Sequence, residues 1–423
     1  MSDLAQLIAQ LGSQARAAAR VLATAPAVRI DGALVAMAHE LHAAQADILS
    51  ANAADVAAAK ANGQTAALVD RLTLDAKRLA ACAEGLRQVA KLPHPVGEIL
   101  REWTQPNGLK FAKVRVPIGV IGFIYESRPN VTVDAAGLCL KSGNAVILRG
   151  GSEALHSNTA IATALARGLA AVGLPIAAVQ LVPSTDRDAV RLLGESVGVI
   201  DLLIPRGGRG LIETVVKTAR IPVIKHYDGI CSLYVDQAAD LAMAVDLALN
   251  GKVSRPGVCN AIETLLVHRA VADRFLALAG PALTAAKVQL RAEPVALAAL
   301  QKAGVPAVAA RDEDFRTEFL DLILAIKIVD NVAAAIEHIE THGSHHTDTI
   351  VTTDTATAEQ FLAGVDSAVV LWNASTRFND GHQFGFGAEI GISTDKLHAR
   401  GPMGLEELTS YKYLVRGVGQ VRS

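Results

Sequence analysis

Apolar residues follow two different rhythms along the chain, and the change between them predicts the fold class. Residues 1–95 show helical spacing almost throughout, in Ala-rich segments that end at Asn62-Gly63 and just before Pro93. From residue 114 onward, short apolar runs alternate with helical segments. Because such alternation is typical of a parallel sheet covered on both faces, we expect a doubly wound α/β architecture.

The predicted strands fall into two groups, which indicate two α/β domains. The first group favours a nucleotide-binding domain, because doubly wound sheets usually bind nucleotides at the carboxyl ends of their strands. The runs of the first group are VRVPIGVIGFIY, NAVILRG, VQLVP, VIDLLIP and PVIKHY, and those of the second are ETLLVH, KVQL, AIKIVD, TDTIVTTD and AVVLWN. Cys259 lies at the predicted seam between the two groups.

Two further segments fit neither group. EWTQPNGLKFAKVRV is typical of a hairpin that turns at Asn107-Gly108, and TSYKYLVRGVGQVRS is typical of an edge strand. Because exposed strands of this kind often pair between subunits, we expect a homo-oligomer.

Charge and composition exclude several classes of partner. The formal net charge is -2, with 40 basic and 42 acidic residues, and aromatic residues make up 4% of the chain. A basic face for nucleic acid or an anionic membrane is therefore not expected, nor is a base-stacking platform. No signal-peptide pattern begins the chain, and no apolar run is long and clean enough to span a bilayer.

The four cysteines indicate a reducing compartment. Cys82, Cys139, Cys231 and Cys259 are far apart and form no C-x-x-C pair, so neither a structural zinc site nor a disulfide framework is expected. The cytoplasm is the predicted location.

Cys259 stands out because it follows a forced break in a helix. The preceding helical pattern ends near Gly251, and Pro256-Gly257 prevents its continuation. A thiol at such a break can be partly exposed beside free backbone N–H groups, which favour the thiolate and hence a nucleophile. The alternative is a small buried hydrophobic residue, which is the usual place of a free cysteine.

Asn130 lies between a predicted strand and the helix VTVDAAGLCLKSG. An amide at such a corner can donate a hydrogen bond to an oxyanion. The pattern fits a helix N-cap as well.

Two glycine-containing turns are candidates for cofactor binding. Arg149 ends a predicted strand and precedes Gly150, Gly151 and Ser152, a place where a cofactor phosphate or ribose could be bound. An ordinary turn with an exposed Arg explains the same pattern.

The second turn, at Gly207 and Gly208, follows a predicted strand and opens a helix. Its glycines permit close backbone approach to a phosphate, although the motif is neither G-x-G-x-x-G nor a P-loop.

Histidines gather in EHIETHGSHHTDTIVT. His338 and His342 share a helical face, but metal ligands would have to come from a helix and a strand across a glycine turn. Solvated histidines, or a contact to the substrate from residues 346–348, are favoured over a metal site. No metal is expected.

Several long segments together resemble one known family. RPGVCNAIETLLVH, ESRPNVTVDAAGLCLKSGNAVILRGGSEA, GSHHTDTIVT, NASTRF and KLHARGPMGLEELTSYKYLVRG are similar to the gamma-glutamyl phosphate reductases of proline biosynthesis, a group within the aldehyde dehydrogenase superfamily. The similarity runs nearly end to end, with the motifs in the same order.

The resemblance implies three structural parts and an activity. Residues 1–99 and 118–250 would bind NADPH, residues 251–395 would form the catalytic domain, and residues 100–117 and 396–423 would form an oligomerisation flap. The implied reaction is the NADPH-dependent reduction of L-glutamyl 5-phosphate to L-glutamate 5-semialdehyde through a cysteine thioester, with release of phosphate. Glutamate 5-kinase, which makes this substrate, is a possible partner.

The resemblance also assigns residues. It implies Cys259 as the nucleophile, Asn130 as the oxyanion donor, Arg149 beside the adenosine ribose or its phosphate, and Glu318 on the nicotinamide ribose. The water-activating Glu of hydrolytic members is missing, and His226 or Tyr227 lies near its place.

The anionic substrate requires cationic side chains. Arg128, Arg255 and Arg377 are the candidates, because a guanidinium pairs with carboxylate or phosphate at two points, and His346 is a further candidate contact. Each arginine could instead form a structural ion pair.

Three alternatives remain open from the sequence. They are another aldehyde or acylating dehydrogenase of the same superfamily, a non-catalytic nucleotide-binding protein, and a cysteine hydrolase. The hydrolase requires a histidine directed at the thiol, and none is adjacent to Cys259 in the sequence.

Overall fold

A computed structural model describes residues 3–422 of the chain. The α-helices, in chain order, are α1 (Asp3–Leu22), α2 (Ala27–Ala43), α3 (Gln45–Ala61), α4 (Ala66–Leu72), α5 (Ala76–Lys91), α6 (Asn130–Lys141), α7 (Leu155–Ala171), α8 (Asp188–Gly194), α9 (Arg209–Thr218), α10 (Leu241–Val253), α11 (Ala272–Ala285), α12 (Pro294–Lys302), α13 (Val332–His342) and α14 (Thr355–Gly364).

The β-strands, in chain order, are β1 (Ile99–Thr104), β2 (Lys110–Pro117), β3 (Val120–Tyr125), β4 (Ala145–Arg149), β5 (Val179–Leu181), β6 (Leu202–Arg206), β7 (Cys231–Val235), β8 (Ile262–His268), β9 (Gln289–Ala292), β10 (Val308–Ala309), β11 (Ile323–Val329), β12 (Thr347–Val351), β13 (Val369–Trp372), β14 (Ile392–Ser393), β15 (Gly401–Pro402) and β16 (Thr409–Arg416). No helix within residues 3–422 is both long and apolar enough to cross a membrane.

The chain forms two compact units. Unit 1 contains the residues up to Lys225, together with Gly385–Gly391 and the segment from Met403 onward, and unit 2 contains His226–Phe384 and Ile392–Pro402. This division differs from the predicted domain boundary after residue 250. The physical reason is that β7 pairs with β8 and β12 rather than with any strand of unit 1.

Unit 1 is built around a four-stranded parallel sheet in the order β5-β4-β3-β6. The chain runs outward from β3 to β5 on one side and then crosses to β6 on the other, so the strand order reverses beside β3. Ligands of open α/β sheets bind at the carboxyl ends of strands at such a reversal. The sheet therefore has the topology that nucleotide binding requires, as the alternating pattern predicted.

Small residues allow the helices of unit 1 to pack closely over this sheet. A Cβ added at Gly168 in α7 would lie 2.5 Å from the backbone nitrogen of Met37 in α2. Ile30, Leu34 and Met37 of α2 are fully buried. The Ala-rich and Gly-containing composition of this region thus has a packing function, because larger side chains would force the helices apart.

The predicted hairpin and edge strand are confirmed as a separate antiparallel sheet within unit 1, in the order β1-β2-β16. The hairpin turns with Gly108 at a φ of 84°, a conformation that glycine adopts without strain. Tyr411, Tyr413 and Val415 of β16 are each about half exposed.

Unit 2 is built around a seven-stranded parallel sheet in the order β10-β9-β11-β8-β7-β12-β13. All seven residues of β8, near its centre, are buried, as expected for a strand covered on both faces. The five strands predicted for the second domain are present, and β7 and β10 are additional strands. The run PVIKHY was wrongly predicted as a strand, since it forms only an isolated bridge between Val223 and Leu203.

Candidate active site

Cys259 lies in unit 2, in the short connection between α10 and β8. Helix α10 continues to Val253, and turns around Pro256 and Gly257 lead to the cysteine before β8 begins at Ile262. The Cys259 side chain is half-buried rather than enclosed in the core. The predicted helix break therefore presents the thiol at an accessible turn.

A buried ion pair fixes the two ends of this connection. Lys252 Nζ, at the end of α10, lies 2.5 Å from Glu263 Oε2 in β8, and both side chains are fully buried. Burial raises the pKa of Glu263 to about 7 and lowers the pKa of Lys252, since each charge is removed from water. Removal of either partner would leave the other buried without its counter-charge, which is strongly destabilising.

Two histidines lie close to the thiol of Cys259. The sulfur of Cys259 and one ring nitrogen each of His226 and His346 lie within 4.8 Å of one another. The two rings meet edge-on, with centroids 5.6 Å apart. His226 Nδ1 is 2.8 Å from the carbonyl oxygen of Ile392, to which it donates, so its lone pair resides on Nε2. We call His226, Cys259 and His346 the cysteine cluster.

A buried polar layer supports the cysteine cluster. Cys231 Sγ donates to the carbonyl oxygen of Cys259 at 3.2 Å, and its pKa is raised well above the ordinary value, chiefly by burial. His346 Nδ1 lies 2.7 Å from Thr347 Oγ1, which also accepts from Asn379 Nδ2 at 2.6 Å. Cys231 is therefore held as a neutral thiol that orients the backbone of Cys259.

Two arginines lie beside the cysteine turn. Arg377 donates from Nη1 to Asn260 Oδ1 and from Nε to Ser254 Oγ at 3.3 Å. Its pKa is lowered, first by burial and then by the charge of Arg255, which is itself exposed. Two neighbouring guanidinium groups near a half-buried thiol form a site suited to an anionic substrate.

Glu318 also belongs to the surroundings of Cys259. Its Oε1 accepts from the backbone N–H of Gly229 at 2.9 Å, and burial is the main cause of its raised pKa. A Cβ at Gly229 would lie 2.0 Å from the carbonyl oxygen of Cys259, so only glycine fits there. Unit 2 thus brings together five residues that the sequence assigned to function, namely Cys259, Arg255, Arg377, His346 and Glu318.

Asn130 begins α6 in unit 1. It is the first helical residue, and Pro129 occupies the cap position without a side-chain hydrogen bond. The Asn130 amide instead donates to Asp134 Oδ2 at 3.1 Å. The N-cap alternative is therefore wrong, and the amide is not required for capping. Arg128 lies exposed in the preceding turn.

Arg149 is buried at the carboxyl end of β4. Its Nη2 makes long hydrogen bonds to the carbonyl oxygens of Thr185 and Asp186, at 3.3 and 3.4 Å, whereas its Nε has no partner among the described residues. Burial lowers its pKa. A buried, incompletely satisfied guanidinium at the end of a parallel strand is an arrangement that a bound anion would complete.

The turn after Arg149 is tightly packed. A Cβ at Gly150 would lie 2.1 Å from Asn158 Nδ2, and one at Gly151 would lie 2.2 Å from the Glu153 carboxylate. Ser152 begins a short 3₁₀ turn. These contacts give the two glycines a structural role that does not depend on a ligand.

The turn after β6 binds a carboxylate of the chain itself. Glu126 Oε2 accepts from the backbone N–H of Gly208 at 2.9 Å, and a Cβ at Gly207 would lie 2.4 Å from the same oxygen. The backbone at the N-terminus of α9 thus binds an anionic group of the chain itself, the Glu126 carboxylate.

These features fit a dinucleotide. Tyr125, Arg149 and Arg206 end adjacent strands of the unit 1 sheet, at the reversal of strand order, and Arg149 is the incompletely satisfied buried cation there.

The His338–His342 pair is not part of a metal-ligand group. Among the described residues, the groups that place three ligand atoms within 4.8 Å are the cysteine cluster and the set Glu340, His345 and Asp366.

Sequence reasoning missed His226 as a partner of Cys259, and it missed Cys231 and Thr347. The resemblance did put His226 or Tyr227 near the position where hydrolytic members carry a Glu, and this was the one available signal. Contacts across a sheet, such as those of Cys231 and Thr347, have no counterpart in local spacing.

Comparison with known proteins agrees with this geometry. The family model described as "Aldehyde dehydrogenase family" matches residues 6–303. A gamma-glutamyl phosphate reductase from Opitutus terrae is 56% identical over all of both chains, and one from Paramagnetospirillum magneticum is 54% identical over 100% of this chain and 99% of its own.

Solved structures give the same result. The crystal structure of gamma-glutamyl phosphate reductase from Thermotoga maritima is similar at a TM-score of 0.96 and 44% identity, covering 98% of this chain and 100% of its own. An acetylating aldehyde dehydrogenase from Geobacillus thermoglucosidasius shares the fold at a TM-score of 0.69 and 19% identity, covering 100% of both chains.

Proposed function

Because this chain belongs to the aldehyde dehydrogenase family, we propose that it reduces L-glutamyl 5-phosphate to L-glutamate 5-semialdehyde and releases phosphate. It is an oxidoreductase, and the full-length similarity to gamma-glutamyl phosphate reductases supports the substrate. The single structural observation that carries the proposal is a half-buried cysteine with two histidines and two arginines around it.

Cys259 is the proposed nucleophile, and His226 is its proton acceptor. The hydrogen bond from His226 Nδ1 to Ile392 leaves the Nε2 lone pair to take the thiol proton. The thiolate then attacks the acyl carbon and forms a C–S bond. The C–O bond to phosphate breaks, and the proton leaves with the phosphate, so that an acyl thioester remains on Cys259.

Arginines bind the anionic ends of the substrate in this proposal. Arg255 and Arg377 lie beside Cys259 and are assigned to the phosphate, for which a guanidinium offers two parallel donors. Arg128 is kept as a further candidate for an anionic group. His346, which is buried against the thiol, contacts the reacting acyl group.

Oxyanion stabilisation is proposed for the Asn130 amide and the backbone N–H of Cys259. The superfamily resemblance supports Asn130, and its amide is not consumed by helix capping. For Asn130→Ala we expect kcat to fall by roughly 10²-fold, the effect of losing one oxyanion donor. A change of less than about twofold would place the oxyanion donor elsewhere.

The family uses a nicotinamide cofactor, and NADPH is the proposed form. Bound NADPH supplies the hydride that reduces the thioester. Arg149 would bind the adenosine phosphate of NADPH. Two turns would line the cofactor site: one contains Gly150, Gly151 and Ser152, and the other contains Gly207 and Gly208. Glu318, held by Gly229, would bind the nicotinamide ribose.

The absence of the hydrolytic Glu from the sequence supports a reductase. An enzyme that releases phosphate and then reduces a thioester would lose its intermediate to an efficient water-activating base. In this sequence His226 lies near the place of that Glu.

The reverse reaction tests the function directly. Glutamate 5-semialdehyde and NADP should give more than one equivalent of NADPH per active site only when phosphate is added, since phosphate must cleave the thioester before the next turnover. Omission of phosphate is the control. Oxidation that requires coenzyme A instead of phosphate would identify an acylating aldehyde dehydrogenase of the same family, which is the alternative function.

Assembly and location complete the proposal. The half-exposed aromatic strand β16 supports a homo-oligomer formed through the sheet β1-β2-β16. A kinase that phosphorylates glutamate at its side-chain carboxylate would supply the substrate. A nucleophilic thiol supports a reducing compartment, and the cytoplasm is proposed.

A further inference from the structure

We propose that the cysteine cluster is a binding site for Zn²⁺, and that zinc bound there inactivates the enzyme reversibly by capturing its nucleophile. The ligands are the thiolate of Cys259 and one imidazole nitrogen each of His226 and His346, which lie within 4.8 Å of one another. Zinc binding does not require turnover, and the zinc-bound state competes with catalysis.

The set of donor atoms selects the metal. One thiolate with two imidazoles is a combination that Zn²⁺ binds tetrahedrally, with an open fourth position. Neighbouring ligands of a tetrahedral zinc ion lie about 3.5 Å apart, given bonds of about 2.0–2.3 Å. Side-chain rotations that bring the three atoms slightly closer would complete the geometry. Hard cations such as Mg²⁺ require oxygen ligands, which the cluster does not supply.

The tautomer of His226 is preset for a metal. Its Nδ1 donates to the carbonyl oxygen of Ile392 at 2.8 Å, the arrangement in which metal-binding histidines are usually held. Nε2 then carries the lone pair and is the ligating atom. The hydrogen bond fixes the ring orientation before any ion arrives, which reduces the entropic cost of binding.

The neighbours of His346 permit the tautomer that a metal requires. Cys231 gives its proton to the carbonyl oxygen of Cys259, so its sulfur, 3.6 Å from His346 Nδ1, is an acceptor. Thr347 Oγ1 lies 2.7 Å from the same Nδ1 and 2.6 Å from the donating Asn379 amide. Because a hydroxyl can accept two hydrogen bonds, Thr347 can also accept the Nδ1–H of His346, and in that tautomer Nε2 carries the lone pair for the metal.

The charges of Arg255 and Arg377 influence which ligand occupies the fourth coordination position of zinc. Arg255 and Arg377 oppose the approach of a bare dication. Because the thiolate neutralises one charge of Zn²⁺, a bound anion such as chloride would neutralise the other and satisfy the arginines. We therefore expect the fourth ligand to be an anion rather than a protein group.

The second three-residue set does not compete for the ion. Asp366, which forms a second three-residue set with Glu340 and His345, already pairs with Arg400 at 2.7 Å and with Lys396. Two basic side chains on one carboxylate disfavour a cation there.

Cobalt binding to the full chain tests the site without turnover. Titration of Co²⁺ should produce a thiolate-to-cobalt charge-transfer absorption in the near ultraviolet that saturates at one equivalent. Cys259→Ala should abolish this absorption. His226→Ala should weaken binding by at least 10-fold, because loss of even an outer-shell partner costs about 10–100-fold. His342→Ala, outside the cluster, is the matched control and should bind normally.

A chemical measurement on the wild-type chain makes the test independent of folding in the variants. Zn²⁺ should protect Cys259 from alkylation, chelator should restore the alkylation, and Mg²⁺ should not protect. The proposal is overturned if the absorption persists in Cys259→Ala, if His226→Ala binds as tightly as the wild type, or if Zn²⁺ leaves alkylation unchanged. Each outcome is separate from phosphate-dependent turnover, which tests the proposed function.

Discussion

Unit 2 contains two pairs of histidines, and their surroundings give them opposite properties. His226 and His346 flank the half-buried thiol of Cys259, although 120 residues separate them in the sequence. His338 and His342 lie one helical turn apart in α13, with ring centroids 4.5 Å apart. We call this second set the helical pair. Its sequence spacing is that of a metal site, but the reactive environment belongs to the pair that the sequence separates.

The cause of the difference is what each pair packs against. His338 is buried edge-on against Phe315, with Lys327 Nζ 3.3 Å from its Nδ1. Burial lowers its pKa to about 3, and Lys327 and His342 add to the shift. His338 is therefore a neutral core residue at physiological pH, which is the ordinary role of a histidine packed on an aromatic ring. In the cysteine cluster, by contrast, the two histidines flank a thiol, and Arg255 and Arg377 beside it can bind an anion.

The largest expected effect comes from Cys259→Ala. It should remove essentially all acyl-phosphate reduction, a loss of about 10⁴-fold or more, because no thioester can form. Phosphate-dependent NADP reduction measures the loss, and NADPH binding by fluorescence shows that the variant is folded. His342→Ala is the control and should retain activity. Turnover by Cys259→Ala within about 10-fold of the wild type would show that the nucleophile is another group.

His226→Ala is the next most damaging change. Without its proton acceptor, kcat/KM for the acyl phosphate should fall by roughly 10²-fold at pH 7. The deficit should shrink as the pH rises, since the thiol then ionises without help, and a merely structural defect would not show this profile. The rate of Cys259 alkylation against pH gives the same information without substrate. Equal profiles for wild type and variant would exclude His226 as the base.

His338→Gln tests the helical pair by pH. The folded chain keeps His338 neutral down to about pH 3, whereas the unfolded chain protonates it below its ordinary value of 6.5. Stability is therefore lost as the pH falls from about 6.5 towards 3, by about 2 kcal/mol at pH 5. Denaturant unfolding at pH 7 and pH 5 should show a smaller decrease for His338→Gln than for wild type. Identical decreases would mean that His338 titrates normally in the folded protein.

His342→Ala should have the smallest effect. The side chain is half-buried and contacts Phe315 and His338, so about 1 kcal/mol or less of unfolding free energy should be lost. Activity should stay within about twofold of wild type. A loss comparable to that of His226→Ala would remove the distinction between the two pairs.

Local patterns were enough to predict much of the fold. The alternation of apolar strands and helices predicted two parallel sheets, and Asn107-Gly108 predicted the hairpin that Gly108 completes at positive φ. Strand β7 was missed because CSLYV follows a glycine-containing stretch that reads as a loop, although all five residues are buried in the sheet. Its pairing with β8 shifts the first boundary from residue 250 to residue 225.

The sequence by itself determined that Cys259 follows a helix break and that Arg255 directly precedes Pro256-Gly257 in that break. These properties are local, because Pro256-Gly257 ends the helix whatever surrounds it. Only the tertiary structure decided that His226 and His346 face the thiol, that Cys231 holds its backbone, and that the helical pair is buried neutral. Those relations arise when β7, β8 and β12 align side by side, and spacing along one strand does not specify which side chains meet across the sheet.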